Sequence, residues 1–453
     1  MTTLLKRAKG AKLDIVINHS DFHMFANNPP STMALLSPHT RRISSLTLSL
    51  NRWMDVLAFS EVTSAPLPFL RTLEIRLAHH DDRFNRLTAQ MLPLFSGAVN
   101  LEEFSFQPKR SASLNHFAFP TLTTLKLLIL PMNRWITQEL FDFLKASPTL
   151  LTVEIRVEEG GTPENIPREM AVVLPNVETL SLNVDGDGLQ VYKLALHISC
   201  PRAKCTSLMQ EICDFEVDTS PGVFPDPDSW KAIARQYTTS PVEEVTLEVK
   251  GPEYSSIFTY SLTFKSSDAT TVSLGFRAIE LDREVHVLGP SDEEMNFEIF
   301  SQACRTIRGH PQLSNLKRLH IKNSSQFFDD DDDYTTNMTE VLWGFFGSLG
   351  PLDELIMYRC DPQVFVSEIE NANRAFSVVK ELTLLDICMV DEERCGDAIV
   401  ELARSQREMG KPFERITVHG WGIPQAMAGE LRRWVGEVDC YERESFRSPS
   451  VEV

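Results

Sequence analysis

The sequence predicts an α/β solenoid, with a curved parallel sheet on the concave side and helices on the convex side. Three observations predict it. One short apolar phrase recurs along almost the whole chain. Stretches with helical periodicity lie between its copies. The longest interval holds two alternating β runs.

The phrase is an apolar residue, two variable residues, an apolar residue, one variable residue and an apolar residue. In the first half it reads Ile43/Leu46/Leu48, Leu70/Leu73/Ile75, Leu101/Phe104/Phe106, Leu122/Leu125/Leu127, Leu150/Val153/Ile155 and Val177/Leu180/Leu182. It continues as Val242/Val245/Leu247, Leu316/Leu319/Ile321, Leu352/Leu355/Met357, Val379/Leu382/Leu384 and Phe413/Ile416/Val418, with a degenerate copy at Ala203/Thr206/Leu208. From Leu46 to Leu180 the middle residues fall 27, 31, 21, 28 and 27 positions apart. Leucine-rich repeats run about 20–29 residues around an L-x-x-L-x-L core, so this spacing suits that class. The last two apolar residues are two apart and therefore share one face of a strand. Stacking the strands in parallel buries each pair against its neighbours, worth roughly 1.5–3 kcal/mol per leucine, and no single repeat closes its own core.

Between the phrases, Phe84, Leu87, Met91, Leu92 and Phe95 follow helical spacing, and Thr137 is placed to cap a helix carrying Leu140, Phe143 and Leu144. Longer helices are predicted over 293–307, 363–376, 392–407 and 425–438. Two intervals break the period. Val245 and Leu319 stand 74 positions apart, and between them residues 257–265 and 270–277 alternate around a polar turn. That predicts a β-hairpin inserted at 251–290, followed by a helix. Between Thr206 and Val245 a proline-rich loop precedes a helix capped by Ser229. No linker composition appears, so residues 1–453 read as a single leucine-rich-repeat solenoid with an acidic loop at 324–336.

The chain has 453 residues, with 44 Lys+Arg against 63 Asp+Glu and a net charge of -19. That balance argues against a grip on nucleic acid, which needs cations to neutralise phosphates, and against adsorption to anionic membrane. The N-terminal stretch lacks the apolar core of a signal peptide, and no run reaches the ~20 apolar residues of a membrane helix. The eight cysteines are scattered through apolar segments. These features predict a cytoplasmic or nuclear protein with reduced, buried thiols. His197, Cys200, Cys205 and Cys213 lack the spacing of a zinc set, and Leu189 stands where a calcium loop opened by Asp185 and Asp187 needs an oxygen ligand. No phosphate-cradling, dinucleotide-binding, nucleophile-elbow or zinc-protease motif occurs, and His79, His80, Asp81 and Asp82 have no nucleophile beside them. The expectation is a protein-binding molecule, not an enzyme, with no cofactor and no metal.

Residues between and just after the last two apolar positions should line the concave face. Those singled out for partner binding are Glu74, Arg76, Lys126, Leu128, Glu154, Arg156, His320, Lys322, Tyr358 and Leu385. They describe a mixed polar groove for a peptide or folded protein, with Leu128, Tyr358 and Leu385 as apolar anchors. Cross-strand charge pairing also accounts for Glu74 beside Arg76 and Glu154 beside Arg156, without any ligand. Asp329, Asp330, Asp331, Asp332 and Asp333 form a solvated carboxylate run that suits a basic partner. With Asp81, Asp82, Glu158, Glu159, Asp185, Asp187, Asp361, Asp391, Glu392 and Glu393 they fall just past the strands, predicting a negative rim at the strands' C-terminal ends.

The stretches LLSPHTRRISSLTLSL (35–50), LPLFSGAVNLEEFSF (92–106), FPTLTTLKLLIL (119–130) and LFDFLKASPTLLTVEIRV (140–157) resemble the leucine-rich halves of fungal F-box proteins, in particular the mushroom-type group. The likeness covers about residues 1–210. In that family an F-box module docks to the adaptor of a cullin-based ubiquitin ligase, and the solenoid behind it holds the target. Nothing before Leu13 resembles the Leu-Pro-x-Glu-like start of an F-box, so a ligase adaptor is expected as a partner only with an F-box upstream. The resemblance implies target recognition within an F-box-like ligase subunit. The alternative is a stand-alone leucine-rich-repeat scaffold or regulator with no ubiquitin connection.

Overall fold

The computed structural model describes residues 10–18, 36–50, 65–77, 95–107, 114–115, 117–129, 134–158, 166–185, 191–213, 227–238, 240–250, 257–279, 301–323, 345, 349–358, 379–385, 392–419 and 425–441. The chain divides into two compact units, Met1–Glu211 and Ile212–Val453. The division falls inside the Thr206–Val245 interval, where the spacing of the phrase is interrupted, although the sequence reads as one array. The class is α/β: among the described residues there are sixteen main strands, eight in each unit and mostly parallel, with helices between some of them.

In the first unit, β1 (Leu13–Ile17), β2 (Ile43–Leu50), β3 (Thr72–Leu77), β4 (Glu103–Gln107), β5 (Thr124–Ile129), β6 (Thr152–Val157), β8 (Thr179–Asp185) and β10 (Cys205–Cys213) lie side by side in that order. A separate two-stranded pair joins β7 (Val172–Val173) to β9 (Ile198–Ser199). Every neighbouring pair in the main run is parallel, and the register sets each phrase against the next. Ile15, Leu46, Leu73, Phe104, Leu125, Val153, Leu180 and Thr206 form one row. Alternation along each strand turns this row, and the row two residues on, into one interior face. All three apolar residues of every phrase are buried.

Phe104 lies at the centre of the first core. Its ring centroid is 4.8 Å from Phe117, 5.0 Å from Phe119 and 6.0 Å from Phe106. Helix α1 (Arg134–Lys145) covers this region with Leu140, Phe141, Phe143 and Leu144, all buried. It begins before Thr137, so Thr137 is buried inside the helix and does not cap it. Residues 78–94, where most of the helix inferred through Phe95 would fall, lie outside the described residues. Phe95 itself sits in a turn with φ 58, a left-handed conformation that ends any helix reaching it. At the next residue but one, a Cβ on Gly97 would come within 2.2 Å of the Ala65 carbonyl oxygen, so only glycine fits.

Turns on the N-terminal side of the strands are stitched from one repeat to the next. Thr121 Oγ1 donates to Val99 and Leu101 carbonyls, and Thr149 Oγ1 repeats the contact one strand later with Pro120 and Leu122. Asn100 and Asn176 donate from Nδ2 to the carbonyls of Pro68 and Pro148. These bonds fix the register where the strands begin.

Strand β10, which carries the degenerate copy, holds two polar residues in its interior. Thr206 and Gln210 occupy interior positions of β10, and both are buried. Gln210 Oε1 accepts the Val191 N–H at 2.8 Å, at the start of the short helix α2 (Val191–Ala195). Gln210, two positions past the phrase, thus supplies an acceptor to a helix start. Gln210→Leu is expected to lower stability by about 1–3 kcal/mol in a denaturant titration, because the buried amide loses its partner. An unchanged midpoint would show that the contact contributes nothing.

In the second unit the order is β13 (Thr271–Ile279), β12 (Ile257–Ser266), β11 (Val242–Lys250), β14 (Arg318–Asn323), β15 (Leu352–Tyr358), β16 (Val379–Leu385), β17 (Arg415–His419) and β18 (Glu437–Tyr441). From β11 through β14 to β18 the pairs are parallel. The hairpin expected at 251–290 is present as β12 and β13, described over 257–279. It extends the sheet, with β12 antiparallel to β11. Its alternation explains this: Tyr260, Leu262, Phe264, Val272, Leu274 and Phe276 are all buried, giving it the same interior face as its neighbours.

The helices of this unit follow the sequence with corrections. Ser229 lies inside α3 (Pro227–Tyr237), where Pro227 takes the first position instead. Residues 301–308 are helical, overlapping the stretch expected at 293–307, of which 293–300 lies outside the described residues, as does 363–376. Helix α4 (Glu392–Glu408) closes at Gly410, φ 73, with the Gly410 and Lys411 amides donating back to Arg407 and Gln406. Helix α5 (Gln425–Trp434) is shorter than expected, because Val438 belongs to β18. Among the described residues no helix is long and apolar enough to cross a membrane.

Candidate functional site

The same alternation that buries the phrases leaves three rows of side chains on the opposite face of the strands. The first row precedes the middle apolar residue, the second follows it, and the third follows the last apolar residue. All ten residues singled out for partner binding lie on the second or third row, described separately in each unit.

In the first unit the second row runs Thr47, Glu74, Ser105, Lys126, Glu154 and Ser181. In the third row Leu128, Arg156 and Asn183 are neighbours. Lys126 and Glu154 stand opposite each other on β5 and β6, 3.8 Å apart. The two Glu/Arg pairs differ from the expected cross-strand pattern. Arg76 Nε donates to Glu74 at 2.7 Å within one strand, since side chains two apart share a face. Arg156 turns from Glu154 to Glu158 at 3.1 Å and Glu211 at 3.7 Å. Glu211 is buried and also accepts from Asn183 Nδ2 at 3.0 Å. Nothing in its own segment marks it, because it belongs to the degenerate copy. This face carries both charges and pairs them internally, at ~0.2–1 kcal/mol per exposed pair.

In the second unit Lys322, Tyr358 and Leu385 are consecutive in the third row, followed by His419 and Tyr441. The His419 and Tyr441 rings stack at 4.4 Å with 6° between planes. His320 and Ile356 are adjacent in the second row. Burial lowers the pKa of both His320 and His419, which favours neutral rings. The face thus grades from charged at Lys322 to apolar at Leu385 and Tyr441.

The first row was not singled out from sequence. In the first unit it is mostly hydroxyl: Ser45, Thr72, Glu103, Thr124, Thr152 and Thr179. In the second it is charged from β12 to β18: Lys265, Glu244, Arg318, Glu354, Glu381, Arg415 and Glu437, with Thr271 beside Lys265 on β13. Arg318 lies 3.1 Å from Glu244, and Arg415 lies 2.5 Å from Glu437 and 3.9 Å from Glu381. Burial, then the neighbouring Glu381, pushes the Glu354 carboxyl upward. Comparing the residue before each middle leucine across the eleven phrases would have exposed this contrast.

Asp329, Asp330, Asp331, Asp332 and Asp333 lie outside the described residues. Of the other acids assigned to a rim, Glu158 directly follows β6 and Asp185 ends β8. Glu158 is engaged by Arg156. Cys200, Cys205, Cys304 and Cys440 are free thiols, but not all are buried: Cys200 and Cys304 are, while Cys205 is exposed because it stands in the outward-facing first row of β10. Burial pushes the Cys200 thiol up to about 12. Among the described residues no three metal-binding side chains come together.

No protein-family model matches the chain, and no curated protein matches it.

Proposed function

We propose that this protein is a leucine-rich-repeat solenoid whose polar sheet face holds a protein partner. We further propose that it acts as the target-recognition part of an F-box-like subunit of a cullin-type ubiquitin ligase, as a binding module rather than an enzyme. The observation that carries the first reading is the register. The phrases lie strand against strand, every apolar member is interior, and the residues between them form rows along one face. Such rows let a partner touch several strands at once while the core stays intact. The ligase role rests on the likeness of the stretches within 35–157 to fungal F-box proteins, and it implies a cytoplasmic or nuclear protein.

The test is affinity capture with the tagged full chain. The proposal expects the ligase adaptor and cullin among the recovered proteins, together with a target whose recovery drops about tenfold or more when Lys126 and Tyr358 are both changed to serine. Recovery of a target without adaptor or cullin would leave a stand-alone scaffold and end the ligase reading. A target indifferent to both substitutions would end the reading of the face.

A further inference from the structure

The charged first row of the second unit alternates in sign from strand to strand, with one break. Lys265, Glu244, Arg318 and Glu354 alternate, and Glu381, Arg415 and Glu437 alternate. At the junction Glu354 on β15 stands directly opposite Glu381 on β16. Like charges directly opposed on neighbouring strands are destabilising.

The flanking cations relieve the junction only in part. Arg318 is drawn to Glu244 at 3.1 Å, and Arg415 to Glu437 at 2.5 Å, keeping 3.9 Å from Glu381. Both act on Glu354 only as longer-range charges. Further along the same two strands, on the same face, lie Ile356 and Tyr358 on β15 and Leu385 on β16. Tyr358 and Leu385 stand four positions on from the carboxylates, about 13 Å at ~3.3 Å per residue.

We propose that this two-strand stretch is the docking site for an extended segment of a protein partner, which places an arginine or lysine between Glu354 and Glu381 and a large apolar side chain against Tyr358 and Leu385. The inference rests on the reading of the sheet face as a partner surface and names the chemistry of one part of it. The incoming cation completes the alternation, and its charge-assisted bonds replace a repulsion. That gain exists only in the complex, so it selects for charge at that position. A docked cation opposes the repulsion from the facing Glu381, which together with burial pushes the Glu354 carboxyl up in the free protein.

The probe is a labelled peptide carrying arginine and phenylalanine separated by three serines, titrated against the full chain by fluorescence polarisation at low salt. Saturable binding is expected. It should weaken about tenfold or more when citrulline replaces arginine, and similarly with Glu354→Gln or Glu381→Gln. Glu354→Arg reverses the charge that an incoming cation meets, so it should abolish peptide binding. No saturable binding, equal binding of the citrulline peptide, or undiminished binding to Glu354→Arg would overturn the proposal. Those results leave the capture experiment with Lys126 and Tyr358 variants standing, so the two readings fail separately.

Discussion

Leu125→Asp should unfold the first unit at temperatures where the parent is fully native. Leu125 is fully buried in the middle row, between Phe104 on β4 and Val153 on β6. The substitution removes a buried leucine side chain, which alone costs ~2–5 kcal/mol. It also sets a carboxylate among stacked apolar residues with no cation in the row, adding several kcal/mol more or forcing the group to bind a proton. A domain has ~5–15 kcal/mol in all, so the loss consumes most of it. Each kcal/mol moves the melting temperature of a 150–250-residue unit by about 2–4 °C, so a fall of about 10–20 °C or complete loss of the transition is expected. Near-ultraviolet circular dichroism reads this directly, because Phe104, Phe106, Phe117 and Phe119 form one cluster there. Leu125→Met conserves volume and should stay within ~1.5 kcal/mol of the parent. If the aspartate variant melts like the parent, Leu125 does not face the interior and the register fails.

The second large effect is a loss of stability in mild acid through His310. The ring is buried, stacked on Phe264 at 5.0 Å and set edge-on to Trp230 at 5.4 Å. Its Nδ1 accepts the Gln312 amide at 3.2 Å, so Nε2 carries the proton in the neutral ring. Burial lowers the pKa from 6.5 to about 4. The unfolded chain therefore takes up a proton below pH 6.5, while the folded protein resists until about pH 4. The unfolded state binds more protons across that window, so stability present above pH 6.5 falls away as the pH drops through it. The depression corresponds to about 3 kcal/mol lost by pH 4. His310→Phe removes this dependence whatever its own stability at neutral pH. Denaturant midpoints between pH 4 and 7 should fall less steeply for the variant. Parallel slopes for the two proteins would contradict the assignment.

What could be read in the sequence follows from what each signal depends on. The phrases were legible because burial of residues two apart is a strong constraint, repeated in register from Ile43 to Val418. The hairpin at 257–279 was legible for the same reason, but its pairing partner was not. Alternation shows that a strand has an interior face, and says nothing of which edge it joins. Strand β18 was hidden by a competing period. Val435, Val438 and Cys440 make a further copy of the phrase, but the helical spacing from residue 425 runs into it. Thr137 and Ser229 were misplaced because a hydroxyl near a helix start is only a local preference, and Pro227 or tertiary packing decides the first turn. The polar face was legible as rows, since Glu74, Lys126, Glu154, His320, Tyr358 and Leu385 all lie where the alternation puts them. Its ion pairs were not. Glu211 reaches Arg156 and Asn183 from a strand whose phrase is degenerate, and the opposition of Glu354 to Glu381 needs the register of β15 on β16.

The central claim is that a partner binds the sheet face that carries the rows between the phrases. Five exposed lysines separate this from binding on the helices: Lys126 and Lys322 stand on the strands, while Lys145, Lys193 and Lys231 stand on α1, α2 and α3. Amine cross-linking of the full chain with its captured partner, mapped by mass spectrometry, reads all five at once. Cross-links to the partner at Lys126 or Lys322, with none at the three helix lysines, are the predicted result. Cross-links confined to Lys145, Lys193 and Lys231 would contradict it.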